Sequence, residues 1–383
     1  MRNRYFDNAA TSWPKPPAVV REMSRYQRHI GGNPGRSGHW RSIEAGKAIL
    51  RTRTALAAFF GVSDPERLVF TKNATEALNT VINGILEAGD HAVCTSMEHN
   101  AVMRPLSVLR EKGLRFDIVK ADEAGAIDPA ELLGAVQGDT KLIIVTHASN
   151  VTGAINDIET VSRGAHERGV PILVDAAQSA GVVPIDVEKT GIDFLAFSGH
   201  KGLLGPQGTG GLYVGNDILK KPLITGGTGS LSDKEVQPEF FPDRYESGTP
   251  NTVGIAGLYG GVCFISGLGQ GRVLAHDNRL LEILLNELSK EKRVKCYGPL
   301  ESGRQTGVLS FNIEGLSPSV VGGILDTKYG IQSRIGLHCA PRAHRTIGTF
   351  PDGTVRLSWG VFTKEKDALF AARVIRRICR NGE

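Results

Sequence analysis

The chain has 383 residues, 40% hydrophobic and 22% charged, an ordinary globular composition with room for one large core and a second, smaller domain. Net charge is +5, but the basic residues are scattered. Their densest cluster, Arg373 to Arg380, is interleaved with apolar residues like a solvated helix face, so nucleic acid is not implied as a partner. No apolar run reaches bilayer length, and the opening MRNRYFDNAATSWPKP lacks the charged-then-apolar order of a secretory signal. Five dispersed cysteines, none in a CxxC pair, suggest neither a disulfide framework nor a metal site. The expectation is a protein of the reducing cytoplasm, without membrane association.

Amphipathic stretches at 17–29 and 42–60 predict helices. A repeated alternation of β-rich and helical runs follows. The predicted strands are LVFTK (68–72), HAVCTS (91–96), RFDIVKA (115–121), LIIVTHAS (142–149), PILVDAA (171–177), DFLAFS (193–198) and GGLYVG (210–215). This order predicts an α/β fold with a mainly parallel seven-stranded sheet covered on both faces. Beyond GTPN (248–251), helical stretches at 252–268 and 272–290 lead into VLSFNIEG, another helix, IQSRIG, VRLSWG and a last helix. That texture predicts a large domain over 13–250 and a smaller α+β C-terminal domain over 251–383, with residues 1–12 packing on the latter.

Ligands on such sheets bind beyond the carboxyl ends of the strands, where the informative polar residues fall. SGHK (198–201) places Lys201 after one strand, and DAAQ places Asp175 at the end of the strand before it. A lysine that forms a Schiff base and a carboxylate that keeps a pyridine nitrogen protonated are what pyridoxal 5'-phosphate requires. NATEALN opens a helix with Asn73, Ala74 and Thr75, whose backbone N–H groups and hydroxyl suit a phosphate, although the same residues would also serve as a simple cap. Ser198 and His200 complete the cradle. His99, in SMEHN, is placed to stack on the ring, and Asn150 and Gln178 to meet the ring hydroxyl.

The ordered set NATEALN, MEHN, SNVTG, DAAQS, SGHK and GTPN resembles the class V aminotransferase group, within it the cysteine desulfurases and selenocysteine lyases. The resemblance implies the fold type I of pyridoxal-phosphate-dependent transferases. It assigns the cofactor lysine to Lys201, the pyridine partner to Asp175 and the stacking ring to His99. It also assigns phosphate contacts to Ala74, Thr75, Ser198 and His200, and the phenolic side to Asn150 and Gln178. Thr249 matches a threonine that reaches the neighbouring subunit's phosphate, which implies a homodimer.

What separates the chemistries is SRIGLHCAPRAH. Cys339 lies among Gly, His, Pro and Arg, whereas Cys94, Cys263, Cys296 and Cys379 read as ordinary buried thiols. A nearby arginine or histidine favours the thiolate. The segment resembles the short active-site loop of SufS-like, type II desulfurases, with Leu337 standing where relatives often carry a second histidine. By the same resemblance Arg356 grips the substrate α-carboxylate, with Arg334 and Asn150 also on the substrate side. The implied reaction starts from L-cysteine: Lys201 moves the α-proton, Cys339 attacks the substrate sulfur, and alanine leaves. The resulting persulfide passes to an acceptor protein or a small thiol. L-Selenocysteine as substrate, transamination without a nucleophilic cysteine, and an idle scaffold are the alternatives.

Overall fold

The computed structural model describes residues 3–35 and 38–381. The chain opens with a two-residue strand, β1 (Arg4–Tyr5), then helix α1 (Pro17–Arg25), a wider turn over Tyr26–Ile30, and helix α2 (Trp40–Phe60). The large sheet is built from β2 (Leu68–Thr71), β3 (His91–Thr95), β4 (Arg115–Val119), β5 (Thr140–Thr146), β6 (Ile172–Asp175), β7 (Phe194–Ser198) and β8 (Gly210–Val214). Its order is β2-β8-β7-β6-β5-β3-β4. Neighbours run parallel except at β8, which is antiparallel to both β2 and β7. All seven predicted strands are present.

These strands read as unbroken apolar runs because both sheet faces are covered. Along β5, Ile143 and Val145 enter one core while Leu142 and Ile144 enter the other. Along β7, Leu195 and Phe197 alternate with Phe194 and Ala196 in the same way. Helices α3 (Ala74–Ile85) and α4 (Asn100–Glu111) cover the second face. Helix α2, with the shorter α5 (Pro129–Gly134), α6 (Ile158–His166) and α7 (Val187–Thr190), covers the first.

Two long helices follow, α8 (Thr252–Leu268) and α9 (Gln270–Leu288). A four-stranded antiparallel sheet then combines β9 (Val294–Tyr297) and β10 (Val308–Ile313) with two later strands, in the order β12-β13-β10-β9. Helix α10 (Pro318–Tyr329) leads to β11 (Ile331–Gln332) and β12 (Arg334–Gly336), and α11 (Pro341–Thr346) precedes β13 (Thr354–Ser358) and α12 (Glu365–Asn381). Strand β1 pairs with β11, and Phe6 is buried in the small-sheet core. The expected division at 250 falls ahead of α8, but α8 packs against α1 and α2 and puts Leu258 and Val262 into the large core. Among the described residues no single helix is long and apolar enough to cross a membrane, and no group of acids, histidines and cysteines is arranged to hold a metal.

Candidate active site

The carboxyl ends of β2, β3, β5, β6 and β7 surround a cavity of about 210 Å3. Of the cofactor residues expected from the sequence, Ala74, Thr75, His99, Asn150, Asp175, Gln178, Ser198, His200 and Lys201 all line it. Thr249 does not. It is exposed in a neighbouring groove that it shares with Lys72 and Glu76, outside the first turn of α3.

Lys201 follows β7 through a turn whose neighbour must be glycine: a Cβ on Gly202 would lie 2.4 Å from the Ala180 carbonyl oxygen. Burial pushes the Lys201 amine down to about 8, Arg356 and Arg334 acting the same way against Asp175 and Cys339. Asp175 is 4% exposed, and one of its oxygens accepts the Ala177 N–H at 2.8 Å. Burial raises its pKa, while that hydrogen bond and Lys201 oppose the rise. A buried carboxyl without a cationic hydrogen-bond partner, in one cavity with a lysine amine, fits the protonated ring nitrogen of pyridoxal phosphate. Nearby Glu98 is fully buried, and burial above all pushes its carboxyl up to about 8.

The phosphate end fits as well. Asn73 caps α3, its Oδ1 accepting the Glu76 N–H at 3.0 Å, which leaves earlier N–H groups of the first turn free of helical partners. The Ala74 N–H donates to Ser198 Oγ at 3.1 Å, and the buried Nδ1 of His200 has no partner. His99 caps α4, its Nδ1 accepting the Ala101 N–H at 3.0 Å, so the neutral ring carries its proton on Nε2. Burial and the cations around it, Lys201 first, push its pKa down to about 4. Two contacts differ from expectation. Asn150 Nδ2 donates to the His338 carbonyl at 2.7 Å and Gln178 Nε2 to the Ala9 carbonyl at 3.1 Å, each keeping one further N–H for a ring oxygen.

Cys339 is exposed in a groove that shares Thr75, His99 and Ala101 with the cavity. Arg334 Nη2 donates to its Sγ at 4.0 Å. Arg334 and Arg356 are register partners on β12 and β13. Arg356 is 2% exposed; Nη1 donates to the Asn150 carbonyl at 2.8 Å and Nη2 to Asp7 Oδ1 at 3.0 Å, while its buried Nε has no partner. Asp7 was not anticipated from the sequence.

Nor was the rest of its segment. The Ser12 N–H (3.0 Å), Ser12 Oγ (3.1 Å), Thr11 Oγ1 (3.3 Å) and Lys15 Nζ (2.9 Å) converge on the carbonyl of His200, the residue before Lys201. Burial pushes Lys15 down to about 8. The available signal was the density of Asp, Asn, Ser and Lys in DNAATSWPK, polar groups too many for a plain leader into α1.

The aminotransferase class-V family matches residues 4–369. A probable cysteine desulfurase of Methanothermobacter thermautotrophicus is 36% identical over 388 aligned positions, spanning 100% of this chain and 96% of its own. The cysteine desulfurase of Pectobacterium carotovorum is 34% identical over 373 positions, 95% of this chain and 90% of its own. Among solved structures, the apo cysteine desulfurase of Thermococcus onnurineus NA1 superposes with a TM-score of 0.92 at 35% identity, covering 99% of this chain and 95% of its own. Fold, cavity and sequence agree over almost the full length, and the chain belongs to the aminotransferase class-V family of pyridoxal-phosphate enzymes.

Proposed function

We propose that the chain is a cysteine desulfurase that converts L-cysteine to L-alanine and keeps the sulfur as a persulfide on Cys339. The observation that carries this reading is the exposed Cys339 thiol beside Arg334, in a groove continuous with the Lys201–Asp175 cavity.

Pyridoxal phosphate held there would supply an electron sink for the carbon next to the substrate amine. Asp175 would keep the ring nitrogen protonated. The start of α3, with Thr75, Ser198 and His200, would hold the phosphate. Neutral His99 offers its ring face and an Nε2–H. Arg356 and Asn150 orient the substrate carboxylate. Lys201, with a pKa near 8, is suited to take the α-proton and return one. Cys339 Sγ attacks the cysteine sulfur; the S–S bond forms as the Cβ–Sγ bond breaks, and its electron pair takes up a proton at Cβ. Thiolate plus cysteine thiol thus become persulfide plus a methyl group, with no outside oxidant or reductant.

The reading extends to L-selenocysteine as a second substrate, to a sulfur-acceptor protein or small thiol as the outlet, and to the cytoplasm as the compartment. It also extends to a homodimer, supported by Thr249, which stands exposed on the outer side of α3. Cys339→Ala tests the core claim. It should keep the cofactor yet lose alanine formation from L-cysteine by several powers of ten. In the wild type, brief exposure to L-cysteine should add one sulfur to the Cys339 peptide alone. Alanine released by the variant at the wild-type rate sinks the proposal.

A further inference from the structure

Cys339 stands on strained backbone. His338 at φ +48° and Cys339 at φ +60° are consecutive non-glycine residues in the left-handed region, which persists only where surroundings impose it. Three backbone contacts do so: Asn150 Nδ2 to the His338 carbonyl (2.7 Å), the Asn100 N–H to the Cys339 carbonyl (2.9 Å), and the Ala340 N–H to the Leu337 carbonyl (2.8 Å). The fourth restraint is the His338 ring, 4% exposed beneath an exposed thiol, with Nε2 3.1 Å from Thr354 Oγ1.

The neighbouring hydroxyls fix which way that bond runs. Ser310 Oγ lies 2.6 Å from the Val151 carbonyl, which can only accept, so the Ser310 proton is committed there. Thr354 Oγ1, 3.1 Å from Ser310 Oγ, must then donate to Ser310. Only lone pairs remain on Thr354 for His338, so Nε2 carries the imidazole proton and the partnerless Nδ1 is bare. Burial, then Arg356, His344 and Arg334, keep this ring neutral, its pKa pushed down to about 2. His344, centred 5.4 Å away, is neutral as well, and Leu337 adds no ionisable group. The ring's single proton is spent on an anchor.

We propose that His338 is a positioning residue. Through its Nε2–H on Thr354 it pins the strained Cys339 backbone to β13 and so fixes where Sγ meets the substrate sulfur, carrying no proton in the reaction. The inference rests on the desulfurase reading and deepens it. Thr354 and Arg356 are two apart on β13 and share one face of the strand. Asn150 ties the two together, accepting from Arg356 at its carbonyl and holding the His338 carbonyl with its side chain. Substrate carboxylate and attacking thiol are therefore referenced to one strand.

The test compares Thr354→Val, His338→Leu and His338→Gln in the pyridoxal-phosphate-loaded enzyme; the glutamine amide nitrogen reaches about as far as imidazole Nε2. Thr354→Val and His338→Leu should lower kcat for alanine formation about 10- to 100-fold, with KM for L-cysteine within about twofold of wild type. The double variant should be no worse than the slower single, because both remove one bond. His338→Gln should recover most of the rate with both limbs of the pH profile unmoved. Amide hydrogen exchange across residues 336–341 should quicken in Thr354→Val and His338→Leu but not in His338→Gln, a readout independent of turnover. Should His338→Leu fail to fold, Thr354→Val carries the test. Wild-type kcat and exchange in Thr354→Val, or a slow His338→Gln that has lost a pH limb, overturn the proposal. Failure of the wild type to form a persulfide instead ends the desulfurase reading and leaves the exchange measurement to judge the anchor.

Discussion

Asp7 is the first residue to perturb, because it supplies the only anion that hydrogen-bonds to Arg356 among the described residues. In Asp7→Ala the guanidinium, 2% exposed, keeps the Asn150 carbonyl and nothing else. Stripping one partner from a buried pair costs about 3–5 kcal/mol. Asp7 itself keeps 24% of its side-chain exposure, so water reaches that side of the pair and the lower end, about 3 kcal/mol, applies. Unfolding 383 residues carries an entropy of about 0.8 kcal/mol/K near the midpoint, so Tm should fall by about 4 °C. A ligand carboxylate replaces the missing anion. L-Alanine, the product, should therefore raise Tm by more in the variant than in the wild type. Scanning calorimetry of the cofactor-loaded enzyme at pH 7, with and without L-alanine, reads both quantities. A drop below 1 °C, or a smaller gain from alanine in the variant, would refute the view of Asp7 as the standing counter-ion of the carboxylate site.

Two further outcomes follow from the cavity. Only a neutral amine attacks an aldehyde, and burial lowers Lys201 to about 8. Capture of pyridoxal phosphate by the apoprotein should thus accelerate tenfold per pH unit up to about 8 and then level off in stopped-flow absorbance; a rate still climbing at pH 10 marks an ordinary lysine. Asp175→Asn should fold and bind the cofactor at full stoichiometry yet lose most turnover, because an amide does not hold the ring nitrogen protonated; near-normal kcat would contradict the assigned geometry.

The large sheet was legible because strands buried on both faces leave continuous apolar runs, and turn residues cut those runs at the right places. The residues that line the cavity were legible for a different reason: Asp175, Ser198, His200 and Lys201 cluster at the ends of two successive strands. Helix α8 shows where such reading stops. TVGIAGLYGGVCFISGL is apolar nearly all round, which says that it is buried but not against what. Its glycines decide that. A Cβ on Gly260 would lie 2.7 Å from the Ala18 carbonyl oxygen, and one on Gly261 2.3 Å from that of Leu203, so α8 docks where α1 and the turn after Lys201 come closest. Similarly, the sequence placed His338 beside Cys339, but the direction of its proton depends on Ser310 and Thr354, which lie on other strands. No local spacing encodes that.

The N-terminal segment carries the larger lesson. Arg356 belongs to the small sheet and Lys201 follows a strand of the large one, so neither core by itself sets the distance between the Arg356 guanidinium and the Lys201 amine. Residues 7–15 touch both. Asp7 holds Arg356, the Ala9 carbonyl holds Gln178, and four donors from Thr11, Ser12 and Lys15 hold the peptide group that precedes Lys201. One carbonyl has two lone pairs, so four donors exceed what backbone satisfaction requires. Half-burying the Lys15 ammonium there adds a desolvation cost, which lowers its pKa to about 8. A fold that keeps a costly arrangement at this peptide is restraining the backbone that carries the amine. The partners of the segment lie about 190 and 350 residues along the chain, beyond the reach of any periodicity, yet they join the two halves of the site.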